Sequence, residues 1–233
     1  LPNPNLQWEQ LAQSNIGIDA VILNNRVSVS VDAYLKNTTE MLVPAIVPVT
    51  TGYSSTQVPS VTAASMQNKG IEISLSTKNL TGALTWNTDL NISFNQNTLK
   101  HLHDRPPLFV DNYGLNANFG IDQAGHPANE FYGYVSDGIF QNQKEVDAHA
   151  LQQPGTESYN RTSPGDIRFV DMNSDGVIND GDRTYIGNPN PKFIYAMNNT
   201  FGFRNFDLGI FLQGVYGNKI FNANNIYQEG MSV

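Results

Sequence analysis

The stretch Leu84-Thr85-Trp86-Asn87-Thr88-Asp89-Leu90-Asn91-Ile92-Ser93-Phe94-Asn95 decides how this chain is read. Successive side chains on a strand point to opposite faces. One face here carries Leu84, Trp86, Leu90, Ile92 and Phe94; the other carries Thr85, Asn87, Asp89, Asn91, Ser93 and Asn95. An average globular strand runs only about five to six residues, so alternation sustained this far predicts an unusually long strand with two chemically distinct faces.

The same period recurs elsewhere. Val27, Val29, Val31 and Ala33 alternate with Ser28, Ser30, Asp32 and Tyr34, and Ile71, Ile73 and Leu75 alternate with Glu72, Ser74 and Ser76. Phe206, Leu208, Ile210 and Leu212 follow the rule less cleanly. The pattern predicts six strands, over about 11–23, 26–42, 68–79, 82–100, 192–203 and 206–218. Strands one and two are expected to meet at Leu23-Asn24-Asn25-Arg26, three and four at Asn79-Leu80-Thr81-Gly82, and five and six at Phe203-Arg204-Asn205. Asn and Gly tolerate positive φ and suit tight hairpins. The other connections, 43–67 and 101–191, are long. In an up-and-down meander this puts every short turn at one end and every long loop at the other. A soluble sandwich would place turns every ~8–12 residues at both ends. The asymmetry instead predicts an all-β, antiparallel transmembrane barrel segment with short periplasmic turns and long extracellular loops. The apolar face of 82–100 is then expected to meet lipid and the Asn-rich face the lumen.

Composition narrows the function classes. The chain has 233 residues and a formal charge of −8, with 15% charged residues. That balance makes nucleic acid and anionic membrane surfaces poor partners. Cysteine is absent, which removes disulfides, thiolate metal sites and thiol catalysis. No apolar run is long enough for a membrane helix. Leu1-Pro2-Asn3-Pro4-Asn5 and Gly230-Met231-Ser232-Val233 read as interior sequence, so the chain is expected to be a fragment.

Residues 171–182 read Asp-Met-Asn-Ser-Asp-Gly-Val-Ile-Asn-Asp-Gly-Asp. Oxygen side chains stand at loop positions one, three, five and twelve, at Asp171, Asn173, Asp175 and Asp182. Gly176 occupies the sharp turn at six, Val177 offers a backbone carbonyl at seven, and Asn179 stands at nine, to act directly or through water. Ile178 is placed to anchor the loop. Ca²⁺ takes six to eight oxygens, and this spacing wraps one segment around it. Asp at position twelve, where helix-flanked loops carry Glu, reaches less far. A structural Ca²⁺ is the expected cofactor; an ion-free acidic turn is the alternative.

Other candidates carry less. His101-Leu102-His103-Asp104 has two rings on one face but no evident third zinc ligand, and reads as a strand leaving the membrane zone. Phe131, Tyr132, Tyr134 and Phe140 are expected to pack the large loop on itself rather than stack on sugars. Trp8, Trp86, Tyr195 and Tyr216 are candidates for interfacial aromatic girdles. Asp180 and Asp182 belong to the calcium pattern rather than to a glycosidase pair. No nucleophile elbow, phosphate loop, dinucleotide fingerprint or zinc-protease motif occurs, so no enzyme is expected.

Three ordered sets of residues carry a resemblance. The first is Asn3-Pro4-Asn5-Leu6-Gln7-Trp8-Glu9, then Asn15-Ile16-Gly17-Ile18-Asp19 and Leu23-Asn24-Asn25-Arg26. The second is Gly125-His126-Pro127, Phe131-Tyr132-Gly133-Tyr134, Asp137-Gly138-Ile139-Phe140-Gln141-Asn142 and Glu145-Val146. The third is Pro164-Gly165-Asp166-Ile167-Arg168-Phe169, Ile186-Gly187-Asn188-Pro189 and Asn205-Phe206-Asp207-Leu208. Together they resemble the SusC/RagA family of TonB-linked outer-membrane transporters. The resemblance implies a barrel of about 22 strands with an amino-terminal plug. It also implies import of glycan or peptide fragments, driven by the TonB system and capped by a SusD-like surface lipoprotein. On this reading residues 1–233 are a partial barrel domain with a large extracellular loop, 101–191. The competing readings are a soluble calcium-binding module of dockerin type and a carbohydrate-binding β-sandwich. Dockerins need two such loops, each followed by a helix; Arg183-Thr184-Tyr185-Ile186-Gly187 reads as strand or turn.

Overall fold

The structure is a computed structural model that describes residues 6–44, 60–102, 108–110, 119–152, 161–222 and 224. Six long strands form one antiparallel sheet: β1 (Gln10–Ile22), β2 (Val27–Pro44), β3 (Ser60–Thr81), β4 (Leu84–Leu102), β11 (Phe193–Phe203) and β12 (Phe206–Tyr216), in the order β1-β2-β3-β4-β11-β12. The sheet is open, with β1 and β12 at its edges. The chain divides into two compact units. One comprises Leu1–Leu108, Asp122–Ala128 and Pro189–Val233; the other comprises Phe109–Ile121 and Asn129–Asn188.

Register explains why the sheet has two faces. Ile18 lies opposite Val31, Val31 opposite Ile73, Ile73 opposite Ile92, and Ile92 opposite Tyr195. One step along, Ala20, Val29, Leu75, Leu90, Met197 and Leu212 form a second continuous row. The alternate rows hold Ser30, Ser74 and Asn91, then Ser28, Ser76 and Asp89. Cross-strand hydrogen bonds stitch these polar rows, with Ser74 donating to Asn91 at 2.8 Å and Ser76 to Asp89 at 2.7 Å. The apolar rows stay exposed: Ile16 is 72% and Ile18 69% accessible on β1, and Leu208 is 57% accessible on β12. A two-faced sheet with its greasy side uncovered is a wall, not half of a filled sandwich.

The tight turns fall as expected at Leu23–Arg26 and Arg204–Asn205, where Asn24 and Asn25 have φ of 54° and 63° and Arg204 has 54°. The third turn differs. Pairing continues to Thr81 opposite Thr85, past a register shift between Lys78 and Leu80, so the reversal uses Gly82 and Ala83 instead of Asn79–Gly82. Asn79 is held within the sheet because its amide donates to Thr88 Oγ1 at 2.8 Å. Arg26 joins two of the turns, donating to the carbonyls of Lys78 and Asn79 at 3.1 and 2.7 Å.

β3 begins at Ser60, eight residues before the expected start, and the connection expected at 43–67 shrinks to 45–59, which lies outside the described residues. The added length pairs Val43 with Val61 and Ala64 with Leu102. Ala64, Leu99 and Leu102 form a small core there, flanked by Met41, Val43 and Met66. Beside it β4 gains a new partner. The Leu99 N–H donates to the His126 carbonyl at 2.8 Å, and the Gly125 N–H returns a bond to Leu99 at 2.7 Å. Gly125 has φ of 90°, which gives the Gly-His-Pro signature a physical role in latching this segment to the strand end.

The second unit is built from short pieces. β5 (Leu108–Val110), β6 (Gly120–Asp122), β7 (Glu130–Gly133) and β10 (Thr184–Gly187) form a sheet ordered β10-β7-β6-β5. β8 (Ser136–Ile139) pairs with β9 (Ile167–Phe169), and α1 (Gln143–Ala148) is capped by Asn142, whose side chain accepts from the Glu145 N–H.

Candidate functional site

Two places can carry function: the polar and apolar faces of the six-stranded sheet, and the acidic loop at 171–182. On the polar face Asp32 lies directly opposite Glu72, with Tyr34 opposite Gly70. Tyr34 donates to Asn95 Oδ1 at 3.0 Å across the sheet. Asn15, Asp32, Tyr34, Lys36, Glu72 and Asn95 line a shallow depression of about 660 Å³. The tyrosine ring lies over Gly70, where any Cβ would meet the ring at 2.5–2.6 Å.

The apolar face is bounded by aromatic rows. Near the tight turns, Leu84, Phe203 and Phe206 lie in register. One row in, Trp86 stacks on Phe201 at 5.6 Å and 18°. Towards the other end, Phe193 contacts Phe94 at 5.7 Å, Tyr195 at 6.2 Å and Tyr216 at 5.1 Å. Leu84 and Phe94 are separated by about 33 Å along the strand at ~3.3 Å per residue. With barrel strands tilted about 40°, that is about 25 Å of height, the thickness of an outer-membrane apolar band. Trp86, Tyr195 and Tyr216 therefore stand in aromatic rows; Trp8, 91% accessible, joins neither.

The aromatics of the second unit pack on one another, as their sequence suggested. Phe119 meets Phe131, Tyr132 meets Tyr185, Tyr134 meets Phe169, and Phe140 meets the His149 ring edge-on. Phe140 is buried, and its backbone bonds to Gly165 and Asp166. Arg168 donates to Asp137 at 2.6 Å and lies 3.8 Å from Glu145. The separate Asp137-Gly138-Ile139-Phe140 and Gly165-Asp166-Ile167-Arg168 motifs thus build one structure, a pairing that neither motif reveals by itself. Of the His101–Asp104 segment only His101 and Leu102 are described.

The acidic loop is wound by its own backbone. Asp171 accepts from the N–H groups of Asp175 and Gly176 at 3.3 and 2.8 Å, and Asn173 Oδ1 accepts from Asp175 N at 2.9 Å. Asp175 accepts from Val177 N at 2.9 Å. Asp182 closes the loop, accepting from Met172 N and Asn179 N at 2.9 and 2.8 Å, and is fully buried. The Asn179 N–H holds the Asp182 carboxyl below its usual range; burial opposes this, and the Met172 and Asn173 N–H groups and the Asp171 side chain assist it. Positions one and twelve are therefore brought together. Asp175 is turned towards the Asn173 amide nitrogen at 3.0 Å. Asn179 spends its oxygen capping Gly181 N at 2.7 Å. Among the described residues no three His, Cys, Asp or Glu side chains are gathered closely enough to hold a metal ion. Gly176 O and Ile178 N bond to Leu151, so the expected anchor at Ile178 works through its backbone. Tyr134 borders the loop, 3.4 Å from Asp180; burial first, then the Asp180 charge, raises its phenol pKa.

The sheet, its turns and the inserted unit can be compared with known proteins. The family described as TonB dependent receptor-like, beta-barrel matches residues 1–225. This chain belongs to that family. It is similar to TonB-dependent receptor P3 of Formosa agariphila, 33% identical over 224 residues that cover 94% of this chain and 22% of that protein. It is also similar to TonB-dependent receptor SusC of Bacteroides thetaiotaomicron, 26% identical over 242 residues, covering 98% of this chain and 22% of that protein. The solved RagAB peptide transporter shares the fold, with a TM-score of 0.68 and 21% identity, over 93% of this chain and 22% of that one. The chain spans about a fifth of the length of these relatives. It is thus an antiparallel barrel segment of a TonB-dependent receptor, a family of the bacterial outer membrane, and it is similar to SusC and shares the fold of RagAB. Its six strands leave the cylinder open because closure takes the whole strand set.

Proposed function

We propose that this chain is wall and extracellular loop of an energy-coupled outer-membrane importer of glycan or peptide fragments. It acts with a SusD-like lipoprotein and the TonB system, and itself catalyses no reaction. The observation that carries the reading is the separation of apolar from polar rows, kept across the sheet from Ile18 to Tyr195 and from Ala20 to Leu212, with Thr77, Thr88 and Asn199 the one polar row described within the apolar face. In this reading the apolar face meets lipid, and the face with Asp32, Tyr34, Glu72 and Asn95 lines the lumen. The likeness to SusC and to RagAB, named as a peptide importer, supports the nutrient class. Deleting the gene should abolish growth on one class of oligosaccharide or peptide while leaving growth on its monomers intact. Tagged protein should co-purify with a lipoprotein partner. Unchanged growth and uptake across both nutrient classes would sink the importer reading.

In the same reading the 171–182 loop binds one structural Ca²⁺ through Asp171, Asn173, Asp175, Asp182 and the Val177 carbonyl, with Asn179 at nine acting through water. What supports this is the spacing, the inward-turned Asp171 and Asp182, and the left-handed Ser174 and Gly176 that fold the loop. The ion removes repulsion among three carboxylates and draws in Asp175.

A further inference from the structure

We propose that a depression at the outer rim of the apolar face holds a phosphate-bearing lipid of the outer leaflet, of the lipid A class. The inference rests on reading the sheet as barrel wall. The depression, about 500 Å³, is lined by Leu35, Lys69, Ile71, Phe94, Gln96 and Lys192, and shares Tyr34 and Asn95 with the first depression. Depth comes from register. Leu35, Lys69 and Gln96 form the row one step beyond Ile71 and Phe94, on the side away from the tight turns. Phe94 belongs to the upper aromatic cluster, which marks where hydrocarbon gives way to headgroups. Lys69 thus stands at headgroup height, exposed and opposite Leu35, where a lysine keeps its stem on apolar surface and its ammonium in water.

Charge selects the occupant. No carboxylate lines this depression, whereas the depression on the opposite face is lined by Asp32 and Glu72. The cross-strand neighbours of Lys69 are uncharged. An acyl chain suits Leu35, Ile71 and Phe94, and a phosphate suits two ammonium groups. The net charge of −8 opposes broad adsorption to anionic surfaces, so binding is local to this rim.

The full-length protein, stripped of lipid in detergent, should be titrated with bis-phosphorylated lipid A and followed by native mass spectrometry. Each lysine is worth about fivefold, so the Lys69→Gln/Lys192→Gln double variant should bind about 25-fold more weakly. Dephosphorylated lipid A should bind the unmodified protein as weakly as lipid A binds the variant. Lys78→Gln, on the opposite face, should behave as the parent. Equal lipid A binding by parent and double variant overturns the proposal, as does equal binding of the dephosphorylated lipid. Phosphatidylglycerol binding as tightly as lipid A overturns the choice of occupant. Heat-modifiability of parent and variant is read in parallel. If the parent lacks it, the barrel reading has failed; if both retain it, only the lipid site is at stake.

Discussion

Gly176 shows what single positions contribute. Its φ is 84°, and a Cβ there would meet nothing within 4 Å, so conformation rather than space restricts the residue. A β-branched replacement should cost about 1–2 kcal/mol of loop closure. Gly176→Val should therefore raise protease cleavage between 160 and 190 about five- to thirtyfold with barrel assembly unchanged. Asp175→Ala tests the ion. Calorimetry should lose calcium binding, and cleavage in the same loop should rise to the level seen with chelator. If chelation leaves the parent's cleavage unchanged and no binding heat appears, the loop is only an acidic turn. Asp182 adds a pH dependence. Its folded pKa is lowered, so its stabilisation is present above the ordinary carboxyl value of about 3.9 and is lost as pH falls through the folded value. Asp182→Asn should open the loop at neutral pH, where the parent opens only below about pH 4. At this scale the sequence was legible in part. Spacing named the loop residues, but nothing in spacing shows that Asn179 caps Gly181 or that Asn173 turns its nitrogen to Asp175.

Strands were legible where alternation is chemical. β4 keeps large apolar residues against Asn, Ser and Asp, and its faces came out as expected. The first part of β3, Ser60-Val61-Thr62-Ala63-Ala64-Ser65-Met66, has no such contrast, so its pairing was hidden. Burial of Ala64 explains part of the composition, since a small residue fits where Leu99 and Leu102 fill the space. The strands of the inserted unit, three or four residues each, are too short for a period to register. A facing test follows from β4. Ile92 lies in an apolar row between Ile73 and Tyr195, and Asn91 lies opposite Ser74. An arginine costs about 2–4 kcal/mol at the lipid midplane and less at Ile92, two residues below Phe94, whereas lumen positions tolerate it. Ile92→Arg should reduce the heat-modifiable band and Asn91→Arg should leave it intact. Equal effects would reverse or erase the two-faced assignment.

The molecule as a whole is oriented by its connections. The turns at Leu23–Arg26, Gly82–Ala83 and Arg204–Asn205 share one end of the sheet, and the longer chain between β4 and β11 leaves from the other. Short turns in such barrels face the periplasm. A cysteine at Ser174 should react with an impermeant maleimide on intact cells, and one at Asn25 only after the outer membrane is opened. The reverse labelling would invert the topology. One pairing bears on how such receptors diversify. Phe131 and Gly133, where the chain re-enters the inserted unit after Ala128, pair with Gly187 and Thr184, where that unit ends. Entry and exit are thus clamped together, so the span between them can lengthen, shorten or be exchanged during evolution without pulling on the strands that carry it. For the importer proposed above, ligand preference is then free to drift in the outer segment while the wall is kept.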